Sequence, residues 1–150
     1  MSLPNWLSEH QVWHRFVEKP ETVHTADASQ TTGIDLHRIT KNLISVTDRG
    51  ENVVLIVPGD RRVNLRKAAK ALGVKNVHLI PFDKSEPISG YPPGGTPSLG
   101  YATKMRVVVD EELRSFKTFY CGGGSRDRLL EVRFEDVVGL NDAIVVPIST

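Results

Sequence analysis

The sequence predicts an α/β (α+β) fold: a curled or barrel-like mixed sheet of about seven short strands with short helices around it. Three observations carry this. Short apolar runs rich in valine and isoleucine recur along the chain, bounded by Gly, Pro, Asn and Asp. Between several of them lie short amphipathic segments with cap residues at their ends. The two kinds of segment do not alternate strictly, so the sheet is expected to be mixed rather than purely parallel.

Taken in order, residues 6–18 place Trp6, Leu7, Val12, Trp13, Phe16 and Val17 at mostly helical spacing. Asn5 offers an N-cap and Pro20 a stop, which predicts a helix there. ETVHTA, residues 21–26, reads as a short strand. The runs Leu43–Val46 and Val53–Val57 flank Asp48-Arg49-Gly50-Glu51 as a hairpin, and the second run lacks polar alternation, as a strand buried on both faces does. Asn64 caps the helix LRKAAKALG, which ends at Gly73. NVHLI is a strand, and DKSEPISG a short helix or turn. MRVVVD, TFYCG and LLEVRF are strands, EELRSF a helical turn, FEDVVGLN a short helix and AIVVPI the closing strand.

Length and composition bound the function. One hundred and fifty residues, 39% hydrophobic and 25% charged, suit one domain over residues 1–150. A net charge of +1 announces no overall basic field. The N-terminus lacks the pattern of a signal peptide, and no apolar run approaches the roughly 20 residues that cross a bilayer. A cytoplasmic protein with no membrane partner is expected. The single cysteine, Cys121, excludes an internal disulfide and a cysteine-rich zinc site. His10 and His14 stand four apart without an evident third ligand, so neither a metal nor a cofactor is expected.

Few residues are left to carry chemistry. Lys41, in RITKNLISV, stands where a polar segment enters an apolar strand. Its ammonium either snorkels to solvent or is directed between apolar walls toward a phosphate or hydroxyl. SGYPPGGTPSLG, residues 89–100, packs four glycines and three prolines into twelve residues. Gly94, Gly95, Thr96 and Pro97 make either a structural turn or a stiff wall of inward amides for a carbonyl or carboxylate oxygen. CGGGSRD brings Gly124, Ser125 and Arg126 to a strand end, as a turn or an anion-receiving nest. Arg61, Arg62, Arg66, Lys67 and Lys70 cluster on one helix and its entry loop, as a solvated face or a contact for a phosphate backbone. Cys121, among aromatic and apolar neighbours, reads as an inert buried thiol.

Three blocks together resemble the YbaK/prolyl-tRNA synthetase-associated domain family of aminoacyl-tRNA deacylases. They are RITKNLISV, VVLIVPGDRRVNLRKAAKALG, and SGYPPGGTPSLG followed by VVVDEEL and FYCGGGSRDRLLEV, spanning roughly residues 22–149. The resemblance implies a mixed, mainly antiparallel barrel-like sheet and a small pocket that receives the aminoacylated 3′ end of a mischarged tRNA. In family precedent this is tRNA(Pro) carrying a wrong small amino acid. It places Lys41 on the pocket lysine and Gly94 and Gly95 on the loop glycines that face the aminoacyl carbonyl. Gly124 and Ser125 fall in the second glycine-rich segment lining the pocket.

The implied partners are tRNA and an aminoacyl-tRNA synthetase, and Arg61, Arg62, Arg66 and Lys70 are the expected tRNA contacts. Two departures stand out: Thr96-Pro97-Ser98 shifts the proline relative to many relatives, and Asp127-Arg128-Leu129-Leu130 replaces a histidine that some carry. A non-catalytic module that binds an aminoacylated end, a nucleotide or a free amino acid is the alternative.

Overall fold

The computed structural model describes residues 2–150. Its helices are α1 (Leu3–Glu9), α2 (Thr25–Thr32), α3 (Leu65–Leu72), α4 (Glu86–Ser89) and α5 (Phe134–Asn141). Its strands are β1 (His14–Glu18), β2 (Thr40–Thr47), β3 (Asn52–Pro58), β4 (Val77–Leu79), β5 (Arg106–Asp110), β6 (Thr118–Gly122), β7 (Arg128–Arg133) and β8 (Ile144–Val146).

Five strands form one sheet in the order β4-β2-β3-β5-β8, and three form a second, β1-β7-β6. The β2–β3 and β2–β4 pairs are antiparallel, as are β1–β7 and β6–β7, while β3–β5 and β5–β8 are parallel. A parallel bridge between Ile39 and Tyr120 joins the two sheets at one corner. The β-structure is therefore mixed and mainly antiparallel and does not close into a barrel: β4 and β8 end the larger sheet, and β1 and β6 the smaller.

The core lies on both faces of β3, whose residues Val53 to Val57 are all fully buried. Val54 and Ile56 pack with Val107, Val109, Phe119 and Leu130 between the two sheets. Val53, Leu55 and Val57 pack against Ala68, Ala69 and Leu72 of α3. The uninterrupted apolar run is thus explained: a strand covered on both sides has no solvent face to alternate with. Truncating one such side chain, as in Leu55→Ala, costs about 2–5 kcal/mol. α3 follows its predicted limits, with the Asn64 side chain accepting the Lys67 amide at 3.1 Å and Gly73 closing the helix at φ 69°.

The N-terminal expectations need correction. The helix read over 6–18 ends at Glu9; Ser2, not Asn5, caps it, accepting the Asn5 amide at 3.4 Å. Gln11 takes φ 54° and breaks the helix, and residues 14–18 become β1, paired along its length with β7. Residues 21–26 form no strand: they run as irregular chain into α2. The helical spacing of Trp13, Phe16 and Val17 was coincidental, because β7 offered an unpaired edge and local preference yields to that pairing. Trp13 is 41% exposed and lies outside the core. Among the described residues no helix is long and apolar enough to cross a membrane, and no group of three His, Cys, Asp or Glu side chains is placed to hold a metal.

Candidate active site

The start of β2, the segment entering α2, the turn after β4, the glycine–proline loop and the ends of β6 and β7 surround one cavity of about 500 Å³. That volume is ordinary for a small-molecule site. β2 contributes Thr40, Lys41, Asn42, Leu43 and Ile44, and the loop contributes Gly94 and Thr96. Gly122, at the end of β6, completes this side.

Lys41 is half-buried, opposite Val57 in the β2–β3 ladder, and its ammonium donates to the Arg61 carbonyl at 2.9 Å. The pleat that places Thr40 on the buried side sends its hydroxyl toward the loop, where it shares a 3.0 Å hydrogen bond with Ser98 Oγ. Ser98 Oγ donates to Asn42 Oδ1 at 2.6 Å, and Asn42 Nδ2 donates to the Thr96 carbonyl at 3.1 Å. Thr40, Asn42 and Ser98 therefore lash the loop to β2. Tyr91, whose hydroxyl donates to the Gly100 carbonyl, and Leu99 bury its two ends.

Glycine is required at two close approaches. Gly94 has φ 86°, and a Cβ there would lie 2.8 Å from Val23 Cα and O. A Cβ on Gly122 would fall 2.5 Å from the Gly95 carbonyl carbon and Thr96 oxygen, so only glycine lets β6 end against the loop. The loop's polar groups divide. The Gly95 amide donates to Pro92 O at 2.8 Å, closing a turn, and Gly95 O accepts the Gly124 amide at 2.9 Å. The amides of Gly94 and Thr96 have no backbone acceptor among the described residues.

The structure thus gathers Lys41, Gly94 and Thr96 around one cavity. Gly95, Pro97, Gly124 and Ser125 are not among the residues that line it; Gly95 and Gly124 instead hydrogen-bond the two glycine segments to one another. Ser125 Oγ donates to Asp127 at 2.6 Å, and Arg126 Nε donates to the Pro93 carbonyl at 2.7 Å, which further ties the loops. Arg62, Arg66, Lys67 and Lys70 are exposed around α3, whereas the Arg61 guanidinium is paired with Glu112 at 3.1 Å. Cys121 is fully buried, and burial pushes its thiol up to about 12.

Sequence reasoning missed Thr40, Asn42 and Ser98, three short polar residues on separate segments that only the fold unites. It also missed Lys19. This residue follows β1, lines the cavity, and donates to Thr22 Oγ1 at 2.6 Å and to the Arg126 carbonyl. Burial lowers its pKa. His24 and Phe82 line the cavity too, their rings stacked at 5.9 Å between centroids. The Gly-Gly-Gly run was a usable signal for Gly122, since triple glycine after a strand marks close backbone approach.

Comparison with known proteins gives a consistent result. The family model described as "Aminoacyl-tRNA editing domain" matches residues 19–140. A protein of Enterococcus faecalis named "Putative Cys-tRNA(Pro)/Cys-tRNA(Cys) deacylase EbsC" is 25% identical over 147 residues, covering 96% of this chain and 90% of that protein. The crystal structure of the hypothetical protein APE2540 superposes with a TM-score of 0.91 at 29% identity, covering 99% of each chain. A structure titled as that of "a putative trans-editing enzyme for prolyl tRNA synthetase" superposes with a TM-score of 0.80 at 25% identity, over 91% of this chain and 87% of the other.

Proposed function

The chain belongs to the aminoacyl-tRNA editing domain family, and from that premise we propose that it is a trans-acting deacylase that hydrolyses the ester of a mischarged tRNA. The proposed substrate is a tRNA(Pro) bearing a wrong small amino acid, and the name of the E. faecalis relative puts cysteine first among the amino acids to try. A prolyl-tRNA synthetase is the proposed partner in the cytoplasm, where it generates such errors.

One observation carries the reading. Lys41, Gly94 and Thr96 line one cavity of about 500 Å³, and the Gly94 and Thr96 amides have no backbone acceptor among the described residues. An ester carbonyl placed against these amides gains donors as it becomes an oxyanion, and each well-aimed donor contributes about 3–4 kcal/mol in comparable sites. Lys41 has three ammonium protons and gives one to Arg61 O, which leaves two for oxygens of the terminal ribose or phosphate. Gly95, Pro97, Gly124 and Ser125 serve as the support that holds the amides in place, a stiffness that lowers the ordering cost on binding.

A water held by the free ribose hydroxyl adds to the carbonyl. Collapse of the intermediate breaks the ester C–O bond, the water's proton passing to the departing tRNA oxygen and the amino acid leaving as its acid. Alternatively the substrate's own side chain attacks the carbonyl, gives its proton to the same departing oxygen and leaves as a cyclic product that water then opens. Catalysis by positioning needs few ionisable groups in the wall. Arg62, Arg66 and Lys70, with Arg61 as far as its Glu112 pairing allows, take the acceptor stem.

The binding-module reading is favoured by one feature: among the described residues the cavity lining holds no carboxylate or thiol, and His24 is its one imidazole. Deacylation of a panel of mischarged tRNAs by the purified protein separates the two. Turnover on at least one small-amino-acid ester supports the deacylase. Hydrolysis no faster than the buffer blank across the panel, with retained binding, establishes the module.

A further inference from the structure

Two of the large apolar side chains left exposed lie at this cavity: Phe82, 52% exposed, and Leu79, 44% exposed. Both flank the turn that follows β4. Across from them, His24 reaches in from the segment before α2 and stacks on Phe82 with 24° between ring planes. A single exposed apolar side chain is ordinary on a protein surface, but here two of them, one aromatic, line the same cavity. His24 covers one face of the ring and, among the described residues, no other element covers the part that leaves Phe82 52% exposed, although Pro81 and Ile80 beside it line the same cavity.

The chemistry of the substrate says what does. This step rests on the deacylase reading. The scissile ester is carried on the ribose of the terminal nucleotide, and the base is one glycosidic bond away from that ribose. When the carbonyl meets Gly94 and Thr96 and the ribose meets Lys41, the base stands elsewhere along the same cavity wall. The apolar, aromatic part of that wall is Leu79, Pro81, Phe82 and His24.

We propose that Phe82, backed by His24, is the stacking platform for the terminal adenine, with Leu79 extending its apolar floor. A flat ring binds a base through its π-face with little regard to base identity. The platform therefore contributes affinity and register and leaves discrimination among amino acids to the far end of the cavity.

The test uses an acceptor-stem minihelix whose terminal adenine is 2-aminopurine and whose amino acid is held by a non-hydrolysable amide. Stacking on Phe82 quenches its fluorescence when the wild-type protein binds. Phe82→Ala and Phe82→Leu should both abolish the quench, the second while keeping apolar bulk. Both should raise the KM for ester substrate by about 5- to 150-fold with a smaller change in kcat, the span covered by one base–aromatic stack. Phe82→Trp should restore quench and KM, and His24→Ala should have a weaker effect in the same direction. An undiminished quench and an unchanged KM in Phe82→Leu would overturn the platform while leaving the deacylase intact. If wild type binds the amide minihelix with quenching yet cleaves no ester, the platform stands and the deacylase reading falls.

Discussion

Lys41 and Gly94 act on the proposed site by different physics. Lys41 is half-buried and contacts Arg61 only through a carbonyl, so Lys41→Ala removes a charge without opening the core. It should lower kcat/KM about 100-fold, the usual effect of losing substrate placement, with an unchanged Tm. Gly94→Ala is the converse. Its positive φ costs about 1–2 kcal/mol for an L-residue, and Val23 at 2.8 Å must shift, so Tm and turnover should fall together. Thermal melts beside single-turnover deacylation separate the two. Cys121 should take no part: a thiol pushed up to about 12 has negligible thiolate at neutral pH. Cys121→Ser should keep most activity, and the native wild type should resist alkylation that the unfolded chain accepts. Complete loss of turnover in a folded Cys121→Ser would assign the thiol a role.

At the scale of elements, the β2–β3 hairpin is held at its turn by Asp48. Its carboxylate accepts the amides of Asn76 and Lys75 at 3.0 Å each, tying the turn to the α3–β4 loop. These bonds, Asn76 first, hold its pKa below the ordinary carboxylate value. A depressed folded pKa means that the stabilisation is complete above the unfolded value near 4 and is lost as pH falls through the folded one. Asp48→Asn should therefore lower Tm at pH 7 and flatten the decline of Tm below about pH 4. Identical acid profiles for the two proteins would remove Asp48 from the acid response. Elements whose signals were local formed as read: the hairpin around Gly50, α3 between Asn64 and Gly73, and β5 and β7 as valine- and leucine-rich runs. β1 was not legible, because His14–Glu18 has no strong local signal and exists as a strand through its register with β7.

For the molecule as a whole, a chain of net charge +1 presents an exposed cationic face on α3. Arg62, Arg66 and Lys70 are exposed and form no ion pair among the described residues, while Glu112 already neutralises part of Arg61. Replacing the three with Gln should weaken tRNA binding and reduce the slope of log affinity against log salt, by about one for each phosphate that is no longer neutralised. The single-turnover rate on saturating tRNA should change little. Titration at several salt concentrations checks this, and an unchanged slope would make the face merely solvated.

Residue order alone names Lys41, Gly94 and Thr96 among the residues that line the cavity. Lys41 and the two glycine segments stood out as candidates, although a snorkelling lysine and structural turns fitted the same residues. Patterns of caps, turns and apolar period likewise sufficed for most elements, since those signals act over a few residues. The Thr40–Asn42–Ser98 lashing, Lys19 and the His24–Phe82 stack did not stand out. Each is made of ordinary residues whose meaning depends on a neighbour far along the chain, 58 positions for Thr40 and Ser98 and 107 for Lys19 and Arg126. Which glycine amides stay free was decided there too: Gly95 spends its donor on Pro92 and Gly124 spends its own on Gly95, and only the folded backbone, not composition, assigns those bonds.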